Sequence, residues 1–302
     1  MVVGAAGVMT AAASSLAAQD FEFRRELTAG SRFAIRNIIG DVRLEGTSGR
    51  TIEVTAKKKP GRHGDPEDVE IKAVERDGGV AICVYYPGQW SRDRDEDDDR
   101  SSRRNRNRNR SNHDGDDDDD VCNRGHNWGN NNRNDTSVDF LVRVPAGLKL
   151  DLKTVSGDVI GRSLRGEKVD VGTVSGDVSL TDLTATVLDA NSVSGNVDLS
   201  QVEAREVSAE TVSGNVDFTG AINPQGAYDF KTLSGDVVLT LAREPDAQVS
   251  AVTFSGDLRS DFPVNRDSAR RHRNRFNATW GKGGAQIDLE SFSGGIEIRE
   301  GK

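Results

Sequence analysis

The residues best placed to do chemistry in this 302-residue chain are a spaced series of carboxylates and carboxamides: Asp158, Asp177, Asn196, Asn215, Asp236 and Asp257. They follow one another at intervals of 19, 19, 19, 21 and 21 residues. If the chain segments that carry them stack in register, they form a column with a step of about 4.8 Å. Such a column could offer oxygen ligands to a cation or a polar ligand. It could also consist of turn residues whose side chains satisfy nearby backbone amides, and this is the favoured expectation, because unrelieved like charges at that spacing repel. Asn196 and Asn215 relieve the middle of the series. Paired carboxylates on stacked strands can also cleave polysaccharide, but here the acids recur singly and do not converge on one cleft.

Other candidates are weaker. His63, His113 and His126 precede the spaced series and His272 lies in an arginine-rich stretch, so no histidine shares its spacing. No nucleophile elbow, zinc motif or phosphate loop is present. Trp90, Trp128 and Trp280 are the large platforms on which a sugar could stack. The run from Arg103 to Arg110 could grip phosphate, but residues 91–120 hold twelve acids against eight arginines. A self-neutralising loop follows, and nucleic acid is not expected as a partner. Asp116 to Asp120 lacks the alternating ligands and glycine of a calcium loop, so it supports weak divalent-cation binding only. No cofactor is implied.

The elements that must position the series are read from its glycines. Gly157, Gly176, Gly195, Gly214, Gly235, Gly256 and Gly294 are 19, 19, 19, 21, 21 and 38 residues apart. A fixed period near twenty marks a solenoid, whose units bury a core only by stacking. Seven and five residues before each glycine the chain is apolar, as in Val169 and Val171; three before is a hydroxyl, as in Thr173; two before is apolar again, as in Val174 and Val193. Two after comes Val178 or its equivalent. Period-two alternation predicts strands. The apolar residue two before the glycine is expected inward, with the phase flipping after the hydroxyl, and Val193 is expected to be buried in mid-stack. The position six before, from Asp151 to Asp288, is expected to face water. Leu164, Leu183, Val202, Ala221 and Ala242, seven after the glycine, are expected to make a third inward contact. Residues 33–44, with Asn37, Gly40 and Asp41, form an imperfect copy separated from the array by about a hundred residues.

The fold class expected is therefore all-β, a parallel β-solenoid of about 20-residue coils forming a single domain over residues 20–302. Its parts are an N-terminal β region at 20–90, a charged insertion at 91–135, expected to be disordered because its core 91–120 has no apolar residue, and the array at 136–302 with a second insertion at about 260–284. Residues 1–19 read as a signal peptide ending in small residues. Cys83 and Cys122 bracket the charged insertion, and in an oxidising compartment they are expected to pair. No apolar stretch after residue 20 is long enough to span a membrane. The net charge of −9 agrees with a chain that does not seek nucleic acid.

The segment Asn37 to Val42, the strand Thr51 to Lys57, the phrase Val138 to Gly147 and the serial Val-Ser-Gly-Asp-Val units together resemble the bacterial putative-adhesin β-strand-repeat family of unknown function. That resemblance implies an exported bacterial solenoid without assigned catalytic residues. The expected function is a non-enzymatic, periplasmic or secreted protein that binds an envelope polymer or a cell-surface protein. A polysaccharide-active enzyme and an envelope-stress sensing scaffold are the alternatives.

Overall fold

In the computed structural model, residues 21–76, 78–86, 122, 134–264 and 274–301 are described. The expected signal peptide, the charged segment 91–120, Trp90, Trp128, His113, His126 and His272 lie outside them. Nineteen strands join in one hydrogen-bonded network among the described residues, and the α-helix is absent there.

The alternation read from the sequence makes the strands, and their equivalence makes the stack. Val178–Ser194 lies parallel to Val197–Ser213 with Val178 opposite Val197, Leu188 opposite Val207 and Ala190 opposite Ala209. Each inward side chain thus packs on its own equivalent one coil away. Val169, Val171, Leu188, Val197 and Val216 are fully buried, and each such side chain stabilises the stack by roughly 1.5–3 kcal/mol. Phe218 anchors the later coils, in edge contact with Tyr228 and tilted against Phe230 at 5.1 Å.

The order of coils departs from the order of the sequence at both ends. The degenerate N-terminal copy is the first glycine-turned coil of the array, for Arg32–Arg36 pairs with Leu148–Ser156 and Val42–Thr47 with Val159–Arg162, all parallel. Its other side carries Gly79–Tyr85 and Ser137–Pro145. At the far end the last coil threads between two earlier ones: Ala285–Ser293 lies between Val216–Ser234 and Ala247–Ser255, and Ile296–Glu300 lies between Val237–Leu241 and Leu258–Ser260.

Antiparallel strands then close the ends. Thr51–Lys59 covers Ser137–Pro145, Glu70–Arg76 covers Gly79–Tyr85, and Arg275–Trp280 covers Ala247–Ser255. Unpaired edges of a parallel stack are templates for aggregation, and such caps protect them. The expected second insertion is therefore partly a structural cap. Trp280, a candidate sugar platform by sequence, is buried in it, bonded through Nε1 to the Pro263 carbonyl at 2.7 Å.

Cys83 and Cys122 are joined, with Cα atoms 5.5 Å apart, as expected. Asp151 departs from the expected water-facing column. It is buried because the N-terminal coil brings Arg36 and Arg32 over it: Arg36 grips both carboxylate oxygens at 2.9 and 2.7 Å and Arg32 adds a bond of 2.6 Å. The third inward contact holds for Leu164, Leu183 and Val202 but not for Ala221 and Ala242, which are exposed. In those longer coils the register shifts, and Gly220 and Leu241 take the aligned positions.

Candidate binding face

Where each coil turns, four of five consecutive positions form four columns along the stack. The hydroxyl three residues before each glycine points inward. Thr173, Ser192, Thr211, Thr232, Ser291 and Thr253 are all buried. Each donates to the carbonyl of the turn glycine one coil earlier in the stack: Thr173 to Gly157 at 2.9 Å, Ser192 to Gly176 at 3.0 Å, Thr211 to Gly195 at 2.8 Å, Thr232 to Gly214 at 2.9 Å, Ser291 to Gly235 at 2.9 Å and Thr253 to Gly294 at 2.8 Å. A buried carbonyl without a partner costs about 1–3 kcal/mol, which accounts for a hydroxyl at every repeat. In the N-terminal coil Asn37 takes this place and donates to the Val138 carbonyl at 3.0 Å.

The glycines themselves admit no side chain. Gly195 has φ +157°, and a Cβ built on it would lie 1.9 Å from the Gly176 oxygen. This is the same carbonyl that Ser192 holds.

The carboxylate and carboxamide series follows. Asp41 accepts from the Asp158 amide at 3.1 Å, Asp158 from Asp177 at 2.9 Å, Asp177 from Asn196 at 2.7 Å, Asn196 from Asn215 at 2.9 Å, Asn215 from Asp236 at 2.9 Å and Asp236 from Gly295 at 2.7 Å. Residues 158 to 236 are thus brought together as turn residues, each giving one oxygen to the backbone. Asp257 stands apart, because the last coil interposes Gly295; it is exposed and 3.7 Å from Arg259. Among the described residues there is no group of three or more His, Cys, Asp and Glu side chains placed to hold a metal.

Asp198 and Asp217 sit side by side on neighbouring strands, two residues beyond the two asparagines. Burial, then the charges of Asp217 and Asp177, push the Asp198 carboxyl above its usual range. Burial also raises Asp217; Arg299 opposes this and Asp236 adds to it.

The column two residues before the glycine was expected inside and is outside. Val155, Val174, Val193, Val212, Leu233, Phe292 and Phe254 form an exposed apolar ridge, with Val193 at 44% and Phe254 at 70% exposure. The phase carried by the residues seven, five and three before the glycine continues unbroken through the hydroxyl. Its neighbour must then face water, and the flip occurs across Ser-Gly-Asx. Phe254 and Phe292 stack flat, centroids 4.8 Å apart and planes within 2°. Behind the ridge runs a groove of about 720 Å³, floored by the hydroxyl column and flanked by Asn191, Glu210, Lys231, Val252 and Glu290. Lys231 lies 2.5 Å from Asp229 and 3.9 Å from Glu210. The hydrogen bond to Asp229, offset in part by burial, raises the ammonium above its usual value.

Residues 141–299, which include the whole ridge, match the Toastrack DUF4097 family. The chain belongs to that family. Three solved structures resemble the Toastrack chain at low TM-score. A putative cell adhesion protein from Clostridium sporogenes is 11% identical, with 94% of this chain and 100% of that chain covered and a TM-score of 0.35. A putative adhesin from Bacteroides fragilis is 9% identical, with 93% and 98% covered and a TM-score of 0.36. A putative adhesin from Parabacteroides distasonis is 9% identical, with 93% and 97% covered and a TM-score of 0.30. No curated protein matches the Toastrack chain.

Proposed function

We propose that this protein is a non-enzymatic, exported binding protein of the bacterial envelope, an adhesin or scaffold whose working surface is the apolar ridge and the groove behind it. The observation that carries the reading is the ridge itself. Seven apolar side chains stand exposed in one line, at positions that face solvent whatever their hydropathy, and contiguous exposed apolar surface marks an interaction site. Export is supported by the Cys83–Cys122 bond, since such bonds persist in oxidising compartments, and by the uncharged N-terminal stretch of the sequence. The partner class this reading takes is an envelope polymer or a cell-surface protein.

The test is retention of the full, oxidised chain on intact bacterial cells and on purified envelope polysaccharide. Leu233→Asp and Phe292→Ser are expected to abolish retention while leaving the circular dichroism spectrum unchanged. Deletion of residues 91–120 is expected to leave it intact. Retention through the ridge should also persist at about 1 M salt, where the Debye length is ~3 Å. Loss of binding on deletion of 91–120, with the ridge variants unaffected, would move the binding site to the charged insertion.

A further inference from the structure

The ridge is graded in size. Along the stack it runs Val155, Val174, Val193, Val212, then Leu233, Phe292, Phe254. The core does not impose this order, because all seven side chains point away from it. A second copy turned end for end, about a two-fold axis crossing the stack between the Val212 and Leu233 coils, meets the gradient in reverse. Val212 then lies opposite Leu233 of the second copy, Val193 opposite Phe292 and Val174 opposite Phe254, while Val155 falls beyond the end of the paired seam. Every contact is small against large, and the combined thickness stays even along the seam.

The flanks agree with this arrangement. A two-fold axis lying across the stack brings each edge of the ridge against the same edge of the other copy. Glu210 therefore faces Lys231 of the second copy, and Lys231 faces Glu210, an opposite-charge pair made twice. Lys231 is 39% exposed beside its own Asp229 and Glu210, which leaves room for a further carboxylate. On the other edge exposed Ser213 meets Ser234 of the second copy, each able to donate and accept. Centring the axis on the Val212 coil instead would place Glu210 against Glu210 and Phe292 against Val174 with Lys231 facing Asn191, losing both charge pairs.

We propose that the ridge is self-complementary and that its occupant is a second copy of this chain, packed antiparallel with the Val212 and Leu233 coils at the axis. This rests on the reading of the ridge as the binding face. Six coils span about 24 Å at ~4.8 Å per step, and the ridge with its flanks is about 10 Å wide at ~3.3 Å per strand residue, a strip on the order of 240 Å², well below the ~800 Å² per partner of stable complexes. The pairing is therefore weak and reversible. Weak self-pairing suits copies displayed together or on facing surfaces, where many contacts act at once.

The test is sedimentation of the full, oxidised chain over a concentration series, with cysteine cross-linking to read the register. The unmodified chain is expected to approach twice the monomer mass as concentration rises. Leu233→Asp should weaken association by about tenfold or more, with an unchanged melting temperature showing that the variant is folded. In a mixture of Val212→Cys and Leu233→Cys chains, the mixed 212–233 link should outnumber the 212–212 link. A chain monomeric throughout, association untouched by Leu233→Asp, or 212–212 links in the majority would overturn the proposal. The two readings separate cleanly. A monomer whose retention on cells is lost in Leu233→Asp refutes self-pairing and keeps the ridge as a binding face; a chain that pairs through the ridge but is retained by no cell or envelope polymer keeps the pairing and refutes envelope binding.

Discussion

Two columns one residue apart invert the usual distribution of polarity. At the positions of Thr211 and its equivalents, hydroxyls are sealed inside the stack; at the positions of Val212 and its equivalents, aliphatic and aromatic side chains stand in solvent. The difference is set by hydrogen bonding. The turn glycines leave an inward carbonyl in every coil, and a hydroxyl from the next coil satisfies it. The backbone phase that places the hydroxyl inside forces the following residue outside, whatever its hydropathy. The buried column thus serves the fold, while the exposed one is left for contact with something else.

The comparison is broken most severely at the glycine that separates the columns from the Asx series. Gly195→Ala places a methyl group against the Gly176 carbonyl, at 1.9 Å in the native geometry, and the backbone on both coils must give way. We expect a loss of about 3 kcal/mol or more, read by urea denaturation. A loss below ~1 kcal/mol would show that the turns have slack that the stacking does not reveal.

A second polar inversion lies at the N-terminal coil. Asp151→Asn leaves Arg32 and Arg36 without their carboxylate, and breaking a largely buried pair costs on the order of 3 kcal/mol. The pH dependence has a definite sign. Burial raises the Asp151 carboxyl, but the hydrogen bonds and charges of Arg36 and Arg32 outweigh it and hold the group below the usual range. Its contribution is therefore fully present above the unfolded carboxylate value and is lost as pH falls through the depressed folded value. The wild-type advantage over Asp151→Asn should shrink on acidification. An advantage constant from neutral pH to about pH 2, below the ~3.9 of an unperturbed aspartate, would show that the pair is not ionic.

The smallest effect concerns Asp198 and Asp217, on the face beyond the turn. Their carboxyls are raised, so ionisation opposes folding at neutral pH, and the penalty is relieved as pH falls through the raised folded values toward the unfolded one. Asp198→Asn is expected to raise the melting temperature modestly at pH 7 and to have less effect near pH 4. A lower melting temperature at pH 7 would mean that the two carboxylates hold something that stabilises the fold.

Much of this was legible in the sequence. The recurring glycine, Val-Ser-Gly-Asx run and apolar pairs such as Val169 and Val171 specified parallel coils and their register, and the spacing of Asp158 to Asp236 correctly suggested turn residues that hold amides. The ridge runs against hydropathy, although its signal is present in the sequence. Counting by twos from Leu188 through Ala190 reaches Ser192, not Val193, so phase places the valine outside against its hydropathy. The crossed coil order at the ends could not be read, because Gly40, Gly256 and Gly294 carry the same local pattern wherever they stack. The burial of Asp151 depends on Arg32 and Arg36, more than a hundred residues away in sequence.

The most direct test sets the two adjacent columns against each other in one coil. Thr211→Val keeps the shape of the side chain but removes the hydroxyl that donates to the Gly195 carbonyl; Val212→Asp puts a charge on an exposed side chain. Urea denaturation should show a loss of about 1–3 kcal/mol for Thr211→Val and a change within about 0.5 kcal/mol for Val212→Asp. The reverse order, with Thr211→Val tolerated and Val212→Asp strongly destabilising, would place the valines in the core and remove the ridge on which the functional reading depends.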